Sequence, residues 1–333
     1  MPTLYLTHDN GLLGRKGTAL TWGERSGTKS TIPASSVEDV VVLGNGSVST
    51  QAIRLLLEQD VPLHYLNGSG WYLGSLSSGK NRGRNLRKKQ EECAASPDAA
   101  LPVARGGVVG KILNQRKNLV RATYKNRKSP AIMNAISGLA YNASLAGTAP
   151  DVPVLRGIEG ASAALYFSVF EELLSPGWFF KGRNRRPPKD PVNALLSFAY
   201  TLLLSNVLTA VIAGCMDPAV GFLHPEYRGR PSAALDLMEE FRPCVSDRIV
   251  LALINQGIIQ PSDFSPDGGG GIQMNARARK ALLKAHGEKL AASSTSEKEG
   301  ESVPYGKRIH LQGRKMAMAI WEGKDYLPFV VKK

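Results

Sequence analysis

Residues Gly221 to Pro243 read GFLHPEYRGRPSAALDLMEEFRP, which puts one imidazole, His224, ahead of a predicted helix bearing three carboxylates, Asp236, Glu239 and Glu240. Asp236 precedes Glu239 by three residues and Glu240 by four, so the acids share one broad face of that helix. Ser232, following Pro231, is a good N-cap for its start. Such oxygens suit a hard divalent cation, and the imidazole nitrogen extends the choice from Mg²⁺ to Mn²⁺ or Zn²⁺. A solvated acidic face beside a solitary polar histidine is the competing reading, and these residues alone leave both open.

A second segment, LRGIEGASAALYFSVF from Leu155 to Phe170, has Glu159 as its one acid before Phe170, set among Gly160, Ala161, Ala163, Ala164 and Leu165. Small residues permit close helix approach, so Glu159 is expected inside a packed interface. A buried carboxylate requires a partner, which is either a cation or the nearby Arg156 as an ordinary salt bridge.

The elements that must position these side chains change character near residue 80. Before it, short apolar runs (residues 4–6, 37–43, 62–66 and 71–76) alternate with Gly, Asn and Ser turns in the manner of strands, and only 51–58 reads as a helix. This assigns residues 1–79 to a β-rich unit and 80–333 to a mainly helical one, with a helix expected from Val108 to Lys128. VVVLGNGSVS, residues 40–49, imitates a dinucleotide-binding fingerprint, but Ser49 replaces its third glycine and no strand–helix repetition follows, so it is read as a turn. Residues 192–216 carry no charge over a stretch long enough to cross a bilayer. Asn193, Ser197, Thr201, Ser205 and Thr209 nevertheless recur every four residues as a polar stripe, which suits a helix buried in protein. Residues 291–304, AASSTSEKEGESVP, are apolar-poor and read as a mobile linker.

The 333 residues contain 42 Lys and Arg against 28 Asp and Glu, a formal charge of +14. Such a chain seeks polyanions. Aromatics at 7% disfavour a stacking platform for single strands and favour phosphate contacts with duplex DNA. The basic residues gather at 80–89, along an acid-free stretch from 99 to 150 that includes Arg105, Lys111, Arg116, Lys117 and Arg121, and nearer the acids as Lys181, Arg183, Arg185, Arg186, Arg228 and Arg230. Cys93, Cys215 and Cys244 form no metal-type pair. The start, MPTLYLTHDNGLL, has no secretory pattern, and a cytoplasmic protein is expected, with no membrane partner.

Taken together, LRGIEGASAALYF, RNRRPPKDPVNALLSFAYTLL, GFLHPEYRGRPSAALDLMEEFRP and the ending YLPFVVK resemble the CRISPR-associated integrase family, the catalytic subunit of the spacer-adaptation complex. The resemblance spans essentially the whole chain. It implies an α+β protein with a β-sandwich-like N-terminal domain used in dimerisation and an α-helical catalytic domain. By position it places a metal-binding, catalytic triad on Glu159, His224 and Glu239, holding Mg²⁺ or Mn²⁺. Asp236, one turn earlier, either supports that site from behind or replaces Glu239 as ligand, and Glu240 reads as the solvated neighbour. The implied partners are double-stranded and branched DNA, a second copy of the chain and a small second CRISPR-associated adaptation subunit.

The expected chemistry is metal-assisted transesterification, in which a DNA 3′-hydroxyl replaces water as nucleophile and a spacer enters the repeat array. No GxxxxGK[ST] loop implies ATP. Two other functions fit the same residues. A stand-alone metal-dependent nuclease on branched DNA would use the same acids, and a non-catalytic nucleic-acid-binding protein would use only the basic surface.

Overall fold

The computed structural model describes residues 3–6, 10–24, 27, 29–37, 39–66, 72–78, 83–124, 128–184, 187–224, 229–297, 300 and 302–332. The chain divides into two compact units, Met1–Arg82 and Gly83–Lys333, three residues beyond the boundary expected from composition.

The first unit comprises β1 (Thr3–Leu6), β2 (Gly11–Lys16), β3 (Ala19–Glu24), β4 (Lys29–Pro33), β5 (Asp39–Leu43), β6 (Ser47–Val48), α1 (Thr50–Glu58), β7 (Leu63–Leu66) and β8 (Tyr72–Leu76). They form two four-stranded sheets, ordered β1-β5-β7-β8 and β4-β3-β2-β6. Leu6, Val40, Val42 and Leu63 from the first sheet and Leu13 and Leu20 from the second are buried in one cluster with Ala52, Leu55 and Leu56 of α1. This is the sandwich-like arrangement expected. Val40, Val41 and Val42 are all buried, because β5 is an inner strand parallel to both β1 and β7. The Gly-Asn-Gly segment is a turn, with Gly44 at φ 81, and Ser49 caps α1 by accepting from the Ala52 N–H. Since α1 lies between the parallel strands β5 and β7, one strand–helix–strand crossover does occur here, with β6 inserted before the helix.

The second unit contains α2 (Arg84–Ala95), α3 (Pro97–Thr123), α4 (Pro130–Gly147), α5 (Val152–Ser168), α6 (Pro191–Ala213), α7 (Ser232–Met238), α8 (Arg248–Asn255), a hairpin of β9 (Phe264–Pro266) and β10 (Ile272–Met274), α9 (Ala276–Ala291), a hairpin of β11 (Ser293–Thr295) and β12 (Ser302–Pro304), and α10 (Tyr305–Glu322). α3 starts eleven residues before the expected Val108, because its Gly-rich opening is stabilised by tertiary approach and not by propensity. A Cβ on Gly106 would fall 2.2 Å from the Tyr326 carbonyl oxygen, and one on Gly110 would meet Pro328 at 2.6 Å. Each helical glycine costs about 1 kcal/mol against alanine, which the close passage of the C-terminal segment offsets.

α6 is the apolar stretch long enough to span a bilayer, and 78% of its most apolar window is buried within the protein. Its polar stripe is satisfied locally. Asn193 and Ser197 accept from Arg183, while the Thr201 and Thr209 hydroxyls donate to carbonyls one turn back.

Residues 291–304 depart from the expected linker. Their described part pairs Ser293 with Pro304 and Thr295 with Ser302, and Ser294 and Val303 are buried. The C-terminal segment then pairs alongside, with the Lys332 N–H donating to the Thr295 carbonyl and the Glu297 N–H to that of Val330. Polar composition concealed this hairpin because its hydrogen bonds come from backbone, to which composition is blind.

Candidate metal centre

Three helices of the second unit bring the chemistry together. α5 is capped by Asp151, whose side chain accepts from the Val154 N–H, and it carries Glu159 two turns in. α3 passes beside it with Lys111 at mid-helix, and α7 ends where Glu239 begins a turn. The Lys111 ammonium contacts Glu159 Oε1 and also lies 2.5 Å from Glu239 Oε2, so two acids 80 positions apart in sequence meet on one cation. Lys111 is 6% exposed.

Arg156, the salt-bridge partner the sequence offers Glu159, donates instead to the Leu223 carbonyl at 2.6 Å and ties α5 to the loop bearing His224. The small residues of α5 also behave differently from expectation. Gly157, Gly160, Ala161 and Ala164 lie on its exposed side, while Leu155, Ser162 and Tyr166 are buried. Glu159 is therefore at the rim of a packed core, not within a helix–helix seam.

His224 is fixed by Asp236. One Asp236 oxygen accepts from the His224 N–H at 3.1 Å and pairs with His224 Nδ1 at 2.6 Å, and the other accepts from the Phe222 and Leu223 N–H groups at 2.6 and 2.9 Å. A carboxylate only accepts, so Nδ1 donates to Asp236, and the neutral form of the ring has its lone pair at Nε2. Nε2 faces Glu239 Oε1 at 4.0 Å. Gly221 permits this loop to close, since a Cβ there would fall 2.6 Å from that of Ser232. Ser232 is the first residue of α7, with Pro231 in the cap position, one residue ahead of the expected cap.

Beyond Glu239 the helix widens into a π-helical turn, Arg242–Asp247. Pro243 has no N–H to continue the α-helical ladder, and the wider turn accommodates that loss. It brings Arg242 back over Glu239, 3.2 Å from Oε1, and over the Tyr200 ring, 4.8 Å from its centroid. Burial opposes ionisation of Glu239, but Arg242, Lys111 and His224 together outweigh it and hold the carboxyl down at about 2. Tyr200 donates to Asp247 at 2.7 Å, and burial pushes the Asp247 carboxyl up to about 6 against that bond and those of its other neighbours.

Glu240, expected in solvent, is fully buried on the opposite side. It accepts from the Tyr326 hydroxyl at 2.8 Å and the Phe329 N–H at 2.9 Å, with Gln312 at 3.3 Å. Burial pushes its carboxyl up to about 8 against these donors. The three acids of one short segment thus face three surroundings: a loop, a cation and the C-terminal strap.

The basic residues divide similarly. Lys181 is exposed, whereas Arg183 is half-buried, bonded to Asn193, Ser197 and the Asn184 carbonyl, and lies over the Tyr200 ring. Arg183 is therefore part of the scaffold, not of a free basic cluster. Arg230 is half-buried, and Arg185, Arg186 and Arg228 lie outside the described residues. In the acid-free stretch, Lys111 is buried in the centre, Arg105 donates to the Ala149 carbonyl and Lys117 pairs with Glu297. Only part of that stretch is an open basic surface.

Among the described residues no three His, Cys, Asp or Glu side chains are already gathered around one cation position. The donor chemistry nevertheless fits a divalent ion. Two carboxylates converge on a bound ammonium, the imidazole Nε2 faces one of them, and Asp236 holds that imidazole as outer partners hold histidine ligands in metal sites.

Residues 4–288 match the family described as CRISPR associated protein Cas1. The chain is 35% identical over 335 residues to CRISPR-associated endonuclease Cas1 1 of Chlorobaculum tepidum, covering 98% of each protein. It superposes on a CAS1 protein from Thermotoga maritima with a TM-score of 0.81 and 28% identity, over 96% of this chain and 97% of that one. A chain of a partial Cas6-RT-Cas1–Cas2 complex is similar at a TM-score of 0.67 and 25% identity, over 98% of both. The chain belongs to the Cas1 family of CRISPR-associated proteins.

Proposed function

We propose that this protein is a metal-dependent DNA integrase and endonuclease of CRISPR adaptation, inserting spacers into a repeat array by transesterification. The observation that carries the metal centre is the convergence of Glu159 and Glu239 on a single cation, with His224 Nε2 turned toward Glu239. Glu159, His224 and Glu239 are the ligands in this reading, and Mg²⁺ or Mn²⁺ is the ion. When bound, it supplies a Lewis acid that polarises a phosphodiester and stabilises the charge developing on its oxygens.

Asp236 is not a ligand here. Its four acceptor contacts hold the His224 loop and select the ring tautomer. Arg242 keeps Glu239 ionised and oriented, and Arg156 anchors the loop to α5. Water as nucleophile gives cutting, and a DNA 3′-hydroxyl held in line gives joining, so one site serves both. The family's endonuclease names and the Cas1–Cas2 complex of one relative support DNA as substrate and a small second adaptation subunit as partner. The protein acts as a cytoplasmic homodimer, with residues 1–79 as the dimerising part and the catalytic machinery in 80–333.

The test is joining of labelled DNA ends to a repeat-containing plasmid in the presence of Mn²⁺ or Mg²⁺ and the partner subunit. Joined product that disappears with chelator and in Glu159→Ala is expected. Cutting without joining would leave a branched-DNA nuclease, and DNA binding with neither activity would leave a binding protein.

A further inference from the structure

Lys111 is a buried cation with a surface-type sequence context. It lies among basic residues in an acid-free stretch, yet its ammonium is enclosed between Glu159 and Glu239. A divalent ion held by Glu159 and Glu239 would compete with Nζ for its place between them. The two cations also repel, strongly so where little water screens them. Glu239 has a second cation of its own, Arg242, at 3.2 Å. Lys111 has a flexible four-carbon stem and a point charge, so it can leave the pair without disturbing its helix.

We propose that Lys111 is the resident counter-cation of the centre: it holds Glu159 and Glu239 together until a divalent ion displaces it, and the displaced ammonium is then paired by a phosphate of bound DNA. This rests on the metal-dependent function proposed for the site. The burial of Lys111 supports the second step, because an ammonium deprived of both carboxylates and of most water needs another anion, and a DNA phosphate is the anion brought to this site. Metal and DNA then bind cooperatively through one side chain, and the coupling is reciprocal.

The test is Mn²⁺ binding to wild type, Lys111→Met and Lys111→Arg, followed by calorimetry or by loss of the free Mn²⁺ spin-resonance signal, with and without duplex DNA. Lys111→Met is expected to bind Mn²⁺ more tightly, by roughly 5- to 150-fold as for other site couplings, while Lys111→Arg shows no such gain. DNA should tighten Mn²⁺ binding to wild type and do so much less in Lys111→Met. A purely structural lysine would leave Mn²⁺ affinity unchanged or weakened on removal, and either result in a folded Lys111→Met overturns the proposal. Wild type that binds no Mn²⁺ at all refutes the metal centre itself, which is a different failure. If Lys111→Met does not fold without metal, Mn²⁺-soaked crystals of wild type decide: Nζ withdrawn from both carboxylates is expected, and Nζ still seated on both beside a bound ion overturns the displacement.

Discussion

Asp236→Asn removes one charge without changing shape, and the local geometry sets its cost. In one amide orientation the NH₂ group replaces the oxygen serving Phe222 and Leu223, and two buried N–H donors at 2.6 and 2.9 Å lose their acceptor. Unsatisfied buried donors cost about 1–3 kcal/mol each, so this orientation costs roughly 2–6 kcal/mol. In the other orientation the NH₂ group faces His224, stranding its backbone N–H and opposing Nδ1 donor to donor. The ring escapes that opposition by moving its proton from Nδ1 to Nε2, leaving one orphaned backbone donor, and the second orientation is therefore the cheaper. Nε2 then loses the lone pair that faces Glu239. Partners of this outer kind are worth about 10–100-fold in metal affinity, or roughly 1.4–2.7 kcal/mol. Long-range proton–nitrogen NMR of the histidines reads the tautomer, and calorimetry with Mn²⁺ reads the affinity. A variant with Nδ1 still protonated and Mn²⁺ affinity within twofold of wild type would refute the assignment of Asp236 as the group that sets His224.

Glu159→Ala, His224→Ala and Glu239→Ala are each expected to abolish cutting and joining while duplex affinity in a gel-shift assay persists. Glu239→Ala should also destabilise most in chemical denaturation, by about 3–5 kcal/mol, because it leaves the Arg242 and Lys111 charges without their shared acid. Glu240 has a folded carboxyl raised from 4.5 to about 8, so the stability it contributes is full below about 4.5 and is lost as pH rises through about 8. Glu240→Gln should flatten that decline in melting temperature across the window, and an unchanged slope would mean that the carboxyl titrates normally. Lys181→Glu should weaken duplex binding for many sequences alike and lower the salt slope by about one. Arg183→Glu should instead lower the melting temperature, since it breaks the bonds to Asn193 and Ser197, and a stable variant defective only in binding would contradict that.

The parts of this centre legible in the sequence are those whose residue types are rare in their surroundings. His224 and Glu239 stand out beside a helix start, and Glu159 stands out among alanines and glycines. The strand pattern before residue 80 is equally readable, because alternation and turn residues are local properties. Pairing over long separations is not. Lys111 and Glu240 have the composition of surface residues, and only the folded chain shows that one lies between two acids and the other under the C-terminal strap. The same holds for Gly106 and Gly110 of α3, whose close contacts with the strap appear only in the folded chain. These omissions share a physical cause. The sequence offers an acid solvent, a metal or a basic neighbour such as Arg156, whereas the folded chain supplies a cation from a distant helix. Glu239 uses two cations, Lys111 and Arg242, and they differ in kind. The guanidinium is also held over Tyr200 and stays, while the ammonium is a flexible point charge that a stronger cation can replace. A centre built this way keeps Glu239 ionised and the two carboxylates close together before any metal arrives, so the ion enters a site already shaped for charge.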